Sequence, residues 1–168
     1  MADPIYNVLF VGSTNSVRSI IAECILNHAG AGRFVAYSAG CAPKGEVHPY
    51  VLDLLLRYEY PTSGLRSKNW QEMSSPEAKP LHFVFTLCER AAAEKCPVWQ
   101  GQPVVAHWGL PDPAAAEESE AETRRAFDGT LRILTKRIGL FINLPLASLD
   151  ERTLQQCVND IGRHTEAD

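Results

Sequence analysis

The residues from Gly12 to Ser19 are of types and in an order that could do chemistry. They run Gly-Ser-Thr-Asn-Ser-Val-Arg-Ser, between an apolar run and a segment with helical periodicity. Where a strand turns into a helix, successive backbone N–H groups converge and the helix dipole adds positive potential, so such a turn can bind an anion. Arg18 adds a planar fork of donors that matches a tetrahedral oxyanion. An ordinary strand-to-helix turn with a surface arginine fits the isolated segment equally well.

Two cysteines, Cys88 and Cys96, follow a later apolar run and are separated by seven residues. Zinc sites usually bring paired cysteines closer in sequence, and no matching second pair follows, so a zinc site is disfavoured. Two interpretations stay open here. One is a thiol pair that exchanges through mixed disulfides, and the other is two unrelated reduced cysteines, one of which ends a strand.

Asp112 lies in a proline-rich segment that runs from His107 to Pro113. General acid catalysis needs a carboxyl group held near a bound anion, where its pKa can be raised. An aspartate that merely occupies a proline-rich turn is the alternative interpretation.

The elements that must position these residues alternate between strand and helix. Short runs rich in branched and aromatic residues predict four strands, at Ile5–Val11, Phe34–Ala39, His82–Leu87 and Val104–Ala106. Helical spacing predicts one helix from about Ser19, with Cys24 as a small core residue, and another that opens at Pro49. The alternation predicts an α/β three-layer sandwich with a central parallel four-stranded sheet flanked by helices. The anion site is expected at the C-terminal end of the first strand.

Two capping patterns mark the starts of the last helices. Ser119 with Glu122 and Ser148 with Glu151 each have the spacing of a capping box. The acidic stretch that begins at Glu117 suits the first turn of a helix. Apolar residues at helical spacing then predict one long amphipathic helix, through Phe127, Leu131, Leu134, Ile138 and Phe141.

Composition limits the class of protein. A chain of 168 residues, 45% hydrophobic and 21% charged, fits one domain over residues 1–168. The formal charge of -4 gives no general attraction to polyanions, so we expect no nucleic-acid and no membrane partner. The N-terminus lacks a basic leader and no apolar run has membrane-spanning length, so we expect a cytoplasmic protein. The five cysteines are loosely spaced, and most should be reduced.

Residues 8–19 resemble the signature loop of the low-molecular-weight tyrosine phosphatases and of the thiol-dependent arsenate reductases that share their fold. That signature is cysteine, five residues, arginine and serine. The resemblance continues in the same order along the chain, in Ala22-Glu23, Ser38-Ala-Gly40, Thr86-Leu-Cys88, Cys96-Pro97 and His107-Trp-Gly-Leu-Pro-Asp-Pro113. The paired downstream cysteines and the His-Trp-Gly segment favour the arsenate reductase branch.

The resemblance implies a role for each of these residues. Arsenate, phosphate or a similar oxyanion would bind to the loop residues Ser13, Thr14, Asn15, Ser16, Val17, Arg18 and Ser19. Cys88 would attack the arsenic-bearing thiol to release arsenite, and Cys96 would resolve the resulting disulfide. A dithiol donor such as thioredoxin or glutaredoxin would then reduce that disulfide. Asp112 would act as general acid, and neither a metal nor a resident cofactor is implied.

Four further residues are expected to support the loop. Asn15 and Ser16 are expected to brace the loop by hydrogen bonds. Glu23 and Ser38 resemble residues that hold the loop or a nearby cation.

Gly12 departs from the family pattern at the nucleophile position, where the family has cysteine. It has no side chain that could attack phosphorus or arsenic. Ser13 does not replace the thiol, because it lies one residue further along and has no evident base. Glycine could instead keep the loop in shape, since it tolerates any backbone conformation. An engineered replacement and a natural loss are both compatible with Gly12.

We therefore expect an arsenate reductase-like protein, of the kind that serves arsenic resistance, which is inactive as written. Two alternatives stay open: a catalytically dead oxyanion-binding or regulatory protein, and a protein tyrosine phosphatase homologue.

Overall fold

The computed structural model describes residues 4–115 and 119–164. Its strands are β1 (Tyr6–Gly12), β2 (Phe34–Gly40), β3 (Phe83–Thr86) and β4 (Val104–His107). Its helices are α1 (Arg18–Ala29), α2 (Pro49–Arg57), α3 (Glu89–Ala93), α4 (Glu120–Ile142) and α5 (Glu151–Ile161), and a 3-10 helix spans Trp70–Ser74. The four strands are parallel and lie in the order β2-β1-β3-β4. The predicted α/β fold with a central parallel sheet flanked by helices is confirmed.

The central strand β1 is covered on both faces of the sheet. Val8 and Phe10 point toward the face that α1 and α4 cover, while Leu9 and Val11 point toward the other face. All four side chains are buried, as expected for a parallel strand in the middle of a sheet. The second face has a thinner cover, made by the 3-10 helix, α3 and the segment around Trp99.

The long amphipathic helix is present as predicted. The five apolar residues that define its stripe are all buried: Phe127, Leu131, Leu134, Ile138 and Phe141. Cys24 is likewise in the core, as predicted, and burial raises the pKa of its thiol to about 11. It is therefore a poor nucleophile at neutral pH.

One of the two predicted caps is correct and the other is wrong. The Ser119 side chain accepts a hydrogen bond from the Glu122 N–H at 3.2 Å and caps α4. Helix α5 is capped by Asp150, which accepts from the Thr153 N–H at 2.8 Å, and not by Ser148. The Ser148 hydroxyl donates instead to the Pro145 carbonyl. The reason is that Asp150 is the last extended residue before the helix, and only that residue can reach the first free N–H groups.

The rest of the acidic stretch before α4, including Glu117, lies outside the described residues. Within residues 4–115 and 119–164, none of the helices combines the length and the apolar character that a membrane crossing needs.

Candidate oxyanion-binding site

The turn between β1 and α1 is held open from outside by the segment that follows β2. The N–H groups of Ala42, Lys44 and His48 donate to the carbonyl oxygens of Ser13 (2.8 Å), Thr14 (3.0 Å) and Ser16 (3.0 Å). Since these carbonyls point outward, the N–H groups of the turn are left to point inward. The turn therefore has the geometry of an anion-binding nest.

The N–H groups of this turn have no partner in the described part of the chain. No protein acceptor there bonds to the N–H of any residue from 13 to 17. Val17, the N-cap of α1, makes no side-chain capping bond, so the first turn of α1 also has free N–H groups. Buried donors without partners are costly, and an anion would satisfy them.

Asn15 fixes the shape of the turn. Its backbone is left-handed, with φ of 47°, and its side chain is 2% exposed. The amide nitrogen donates to the Ser19 hydroxyl at 2.8 Å, and the amide oxygen accepts from the Lys68 N–H at 2.8 Å. The Ser16 hydroxyl is hydrogen-bonded to that of Thr14 at 2.8 Å. The expected bracing bonds of Asn15 and Ser16 are thus present.

A buried polar cluster lies behind the turn. The Ser38 hydroxyl donates to the Glu23 carboxylate at 2.5 Å, and Lys68 is only 9% exposed. Burial raises the pKa of Glu23, and the hydroxyl of Ser38 and the charge of Lys68 oppose that rise. Lys68 could not be found from the sequence, because it lies in a segment without regular structure far from the loop.

Gly12 is not needed for the shape of the loop, contrary to the suggestion from the sequence. It is the last residue of β1 and lacks a positive φ, whereas the left-handed residue of the turn is Asn15. A β-carbon built on Gly12 lies 3.4 Å from the Ser19 hydroxyl and 3.8 Å from its Cβ. Since 3.4 Å is an ordinary contact, the site has room for a side chain at the nucleophile position.

Arg18 ties the turn to the proline-rich segment. Its Nη1 donates to the Leu110 carbonyl at 2.8 Å, which leaves Nε and Nη2 available to an oxyanion. Asp112 follows in the same segment, is half-buried, and accepts from the Ala114 N–H at 2.9 Å. Arg18 therefore holds the backbone of the segment that carries the candidate acid.

The charge of Asp112 also acts on His48, which binds the outside of the turn. Burial lowers the pKa of the His48 imidazole, Lys44 lowers it further, and the carboxylate of Asp112 opposes both. The His48 N–H donates to the Ser16 carbonyl, so a residue that binds the loop responds to the charge of Asp112.

Cys88 lies at the same edge of the sheet as Gly12. Thr86 pairs with Val11, and the Leu87 N–H donates to the Val11 carbonyl at 2.8 Å, so Cys88 leaves β3 next to the end of β1. Its thiol is buried and caps α3 by accepting from the Ala91 N–H at 3.4 Å.

Cys96 lines a cavity that reaches the same edge, since Val11, Thr86 and His107 line it too. Cys96 is exposed, and the cavity, of about 340 Å³, is also lined by Trp70 and Trp99, on the face of the sheet opposite α1. The five cysteines are all unpaired by disulfides. The structure therefore brings Gly12, Arg18, Cys88 and Asp112 to one edge of the sheet, and Cys96 lines a cavity that includes residues of that edge.

Cys41 also lies beside the site, and the sequence predicted no role for its thiol. Its N–H donates to the Gly12 carbonyl at 3.3 Å, and its side chain packs on the cluster that contains Cys88. Burial raises the pKa of its thiol. The strand order places β2 and β3 on either side of β1, and only this order shows that Cys41 lies near Gly12 and Cys88.

No cluster of three or more His, Cys, Asp or Glu side chains suited to a metal ion occurs in residues 4–115 and 119–164.

Comparison with known proteins finds relatives that are similar in sequence and in fold. The chain is 29% identical over 134 residues to an arsenate reductase of Shouchella clausii (strain KSM-K16), a match over 80% of this chain and 93% of that protein. Its fold is similar to that of an arsenate reductase of Archaeoglobus fulgidus DSM 4304, with a TM-score of 0.58, 26% identity, and coverage of 79% and 98%.

The fold is also similar to that of a thioredoxin-dependent arsenate reductase of Corynebacterium glutamicum. The TM-score is 0.56, the identity is 27%, and the match covers 84% of this chain and 65% of that protein. The chain therefore spans just under two thirds of the length of this relative. The family pattern described as "Low molecular weight phosphotyrosine protein phosphatase" matches residues 7–153. The chain belongs to the low-molecular-weight phosphotyrosine protein phosphatase family.

Proposed function

We propose that this chain is an arsenate reductase-type protein that binds an oxyanion in the β1–α1 turn and does not reduce arsenate as written. The observation that carries the proposal is the set of N–H groups of residues 13–17 without protein partners, next to Arg18 and around a position that has no side chain. Such a site retains the means of binding arsenate or phosphate. It lacks the thiol that would begin the chemistry.

The chemistry that the scaffold would support starts at position 12. A thiolate there would attack arsenic, and Asp112 would protonate the oxygen that leaves as water. The Cys88 thiolate would then attack the arsenic-bearing sulfur, so that arsenite leaves with two electrons and a disulfide forms. Cys96 would exchange into that disulfide, and an external dithiol donor would reduce it. Gly12 stops this sequence before its first step.

The arsenate branch is favoured over the phosphatase branch by the two downstream cysteines. Hydrolysis of a phosphate ester would use the turn, Arg18 and Asp112, and would need neither Cys88 nor Cys96. The relatives from Shouchella, Corynebacterium and Archaeoglobus are all arsenate reductases. The family as a whole is named for phosphatases, so a phosphatase homologue is the second candidate.

Two measurements on the purified chain test the proposal. Calorimetry should show binding of arsenate and phosphate, and turnover assays should show neither arsenate reduction nor hydrolysis of an aryl phosphate. Arg18→Ala should abolish binding, because it removes the charge and the forked donors. Unchanged affinity in that variant would place the anion elsewhere, and robust turnover that depends on Ser13 would overturn the account of the loop.

A further inference from the structure

Three consecutive backbone carbonyls in the proline-rich segment all accept hydrogen bonds from arginine side chains. Arg137 of α4 donates through Nη1 to Trp108 at 2.6 Å and through Nη2 to Gly109 at 3.1 Å. Arg18 donates to the next carbonyl, that of Leu110, at 2.8 Å. Two guanidinium groups therefore hydrogen-bond to the backbone of the segment that carries Asp112.

Arg137 is an unusual residue to find in this place. Its side chain is 0% exposed, and its three hydrogen bonds all go to backbone carbonyls. The third bond runs from Nε to the His164 carbonyl at 2.8 Å, just beyond the end of α5. A fully buried charge is costly, and carbonyl dipoles offset the cost only when several converge on it. Its position therefore depends on the proline-rich segment and on the end of α5 together.

Helix α5 is docked on the same segment by two further contacts. The buried Trp108 indole donates to the Val158 carbonyl at 2.9 Å. A β-carbon built on Gly162 would lie 2.5 Å from the His107 carbonyl and 2.8 Å from Trp108 Cδ1, so only glycine allows this approach. The family match ends at residue 153, so most of α5 lies beyond the part that defines the family.

We propose that Arg137 is a positioning residue, through which α5 fixes the segment from Trp108 to Asp112 over the oxyanion-binding turn. With Trp108 and Gly109 held by Arg137, the Leu110 carbonyl stands where it orients the Arg18 guanidinium. The same restraint keeps Asp112 beside the turn. This inference rests on the proposed oxyanion site, because it assigns Arg137 and α5 a part in forming it.

A purely structural role for Arg137 makes a different prediction. In that case its loss lowers the stability of the fold but leaves the folded protein with the same anion affinity. In the positioning role, loss of Arg137 weakens anion binding even where the variant is fully folded, because Arg18 then lacks a fixed acceptor.

Two variants and a matched control separate these roles. Arg137→Gln removes the charge and shortens the reach to the carbonyls. Gly162→Ala leaves Arg137 intact and forces the end of α5 away from the segment. Gly139→Ala is the control, since a β-carbon there meets nothing within 4 Å. Gly162→Ala keeps the test informative if Arg137→Gln does not fold.

Calorimetry measures the binding of phosphate and of arsenate, and hydrogen exchange measures the protection of residues 107–113. In that segment the backbone N–H of Trp108 donates to the Thr86 carbonyl at 2.7 Å. We expect both variants to bind about tenfold more weakly, as for loss of one hydrogen bond to a charged group, and to exchange faster in this segment. Gly139→Ala should change neither. Unchanged affinity and exchange in folded variants would overturn the positioning role.

Failure of the proposed function is a separate outcome. If the unaltered chain binds neither anion, the proposed function fails. Hydrogen exchange is then the measurement that tests whether α5 and Arg137 restrain the segment. Faster exchange of residues 107–113 in both variants then supports the restraint by Arg137, and unchanged exchange overturns it.

Discussion

A β-carbon built on Gly12 lies 3.4 Å from the hydroxyl oxygen of Ser19, in ordinary van der Waals contact. Gly40, the partner of Gly12 in the parallel pairing with β2, is in the opposite situation. A β-carbon there would lie 2.5 Å from the Ser13 carbonyl. Of two glycines at the same level of the sheet, one can take a side chain and the other cannot.

Gly12→Ala should therefore be tolerated. Its backbone conformation suits alanine, so we expect unchanged stability or a gain of about 0.5 kcal/mol in the free energy of unfolding. Gly40→Ala is the matched control and should cost about 2 kcal/mol, because the loop backbone must shift. Urea denaturation measures both. Equal losses in the two variants would mean that position 12 has no room for a side chain.

Asn15 offers a test of how the turn is held. Asn15→Ala and Asn15→Gly both remove the amide bonds to Ser19 and Lys68, and both should weaken anion binding. Only alanine must also adopt the left-handed backbone, so Asn15→Ala should be less stable than Asn15→Gly by roughly 0.5 to 1 kcal/mol. Denaturation of the two proteins gives the difference. Equal stability would indicate that the turn relaxes out of the left-handed region.

Glu23→Gln should remove a pH-dependent part of the stability. Burial raises the folded-state pKa of Glu23 above the ordinary value of 4.5, so the unfolded chain ionises first as the pH rises. The contribution of Glu23 is fully present below that value and is lost as the pH rises through the folded pKa. The free energy of unfolding of the unaltered chain, minus that of Glu23→Gln, should therefore fall with pH.

Denaturation at a series of pH values, from below 4.5 upward, measures this difference. Ser38→Ala provides a control, because removing the hydroxyl that lowers the pKa of Glu23 should move the loss to higher pH. A difference that stays constant, or that grows with pH, would contradict the assignment.

Cys88 and Cys96 should form a disulfide under mild oxidation. The proposed relay joins these two thiols, and a disulfide needs their Cα atoms within roughly 7 Å. Helix α3 lies between them, has five residues, and is capped by a sulfur contact of 3.4 Å, so little holds it against unwinding. Peptide mapping of the oxidised chain, with Cys96→Ser as control, identifies the pair. A link from Cys88 to Cys41, or no link, would count against the reductase relay.

The parts of this molecule that sequence could predict are those with a local signal. The sheet, the turn and the stripe of α4 follow from periodicity and from residue types that lie within a few positions of each other. The support of Asn15 by Lys68 and of Trp108 by Arg137 joins residues far apart in the chain, and no local pattern marks it.

Arg137 shows why such contacts escape prediction. A charged residue in an amphipathic helix is expected on the solvent side, yet its side chain is buried, because the carbonyls that receive it come from two other segments. Asp150 rather than Ser148 caps α5 because Asp150 is the last residue with an extended backbone before the helix. A pattern of residue spacing does not reveal which residue that is.

We propose that the chain is an arsenate reductase scaffold that lacks only its first thiol, and the activity of Gly12→Cys shows whether this is so. The free N–H groups of the turn and the dipole of α1 should lower the pKa of the introduced thiol below the free value of about 8.5. We predict arsenate reduction that requires Cys88, Cys96 and a dithiol donor. In that background, Cys88→Ser should stop the reaction with arsenic bound to position 12. Hydrolysis of an aryl phosphate without arsenate reduction, or no activity at all in the folded protein, would contradict the claim.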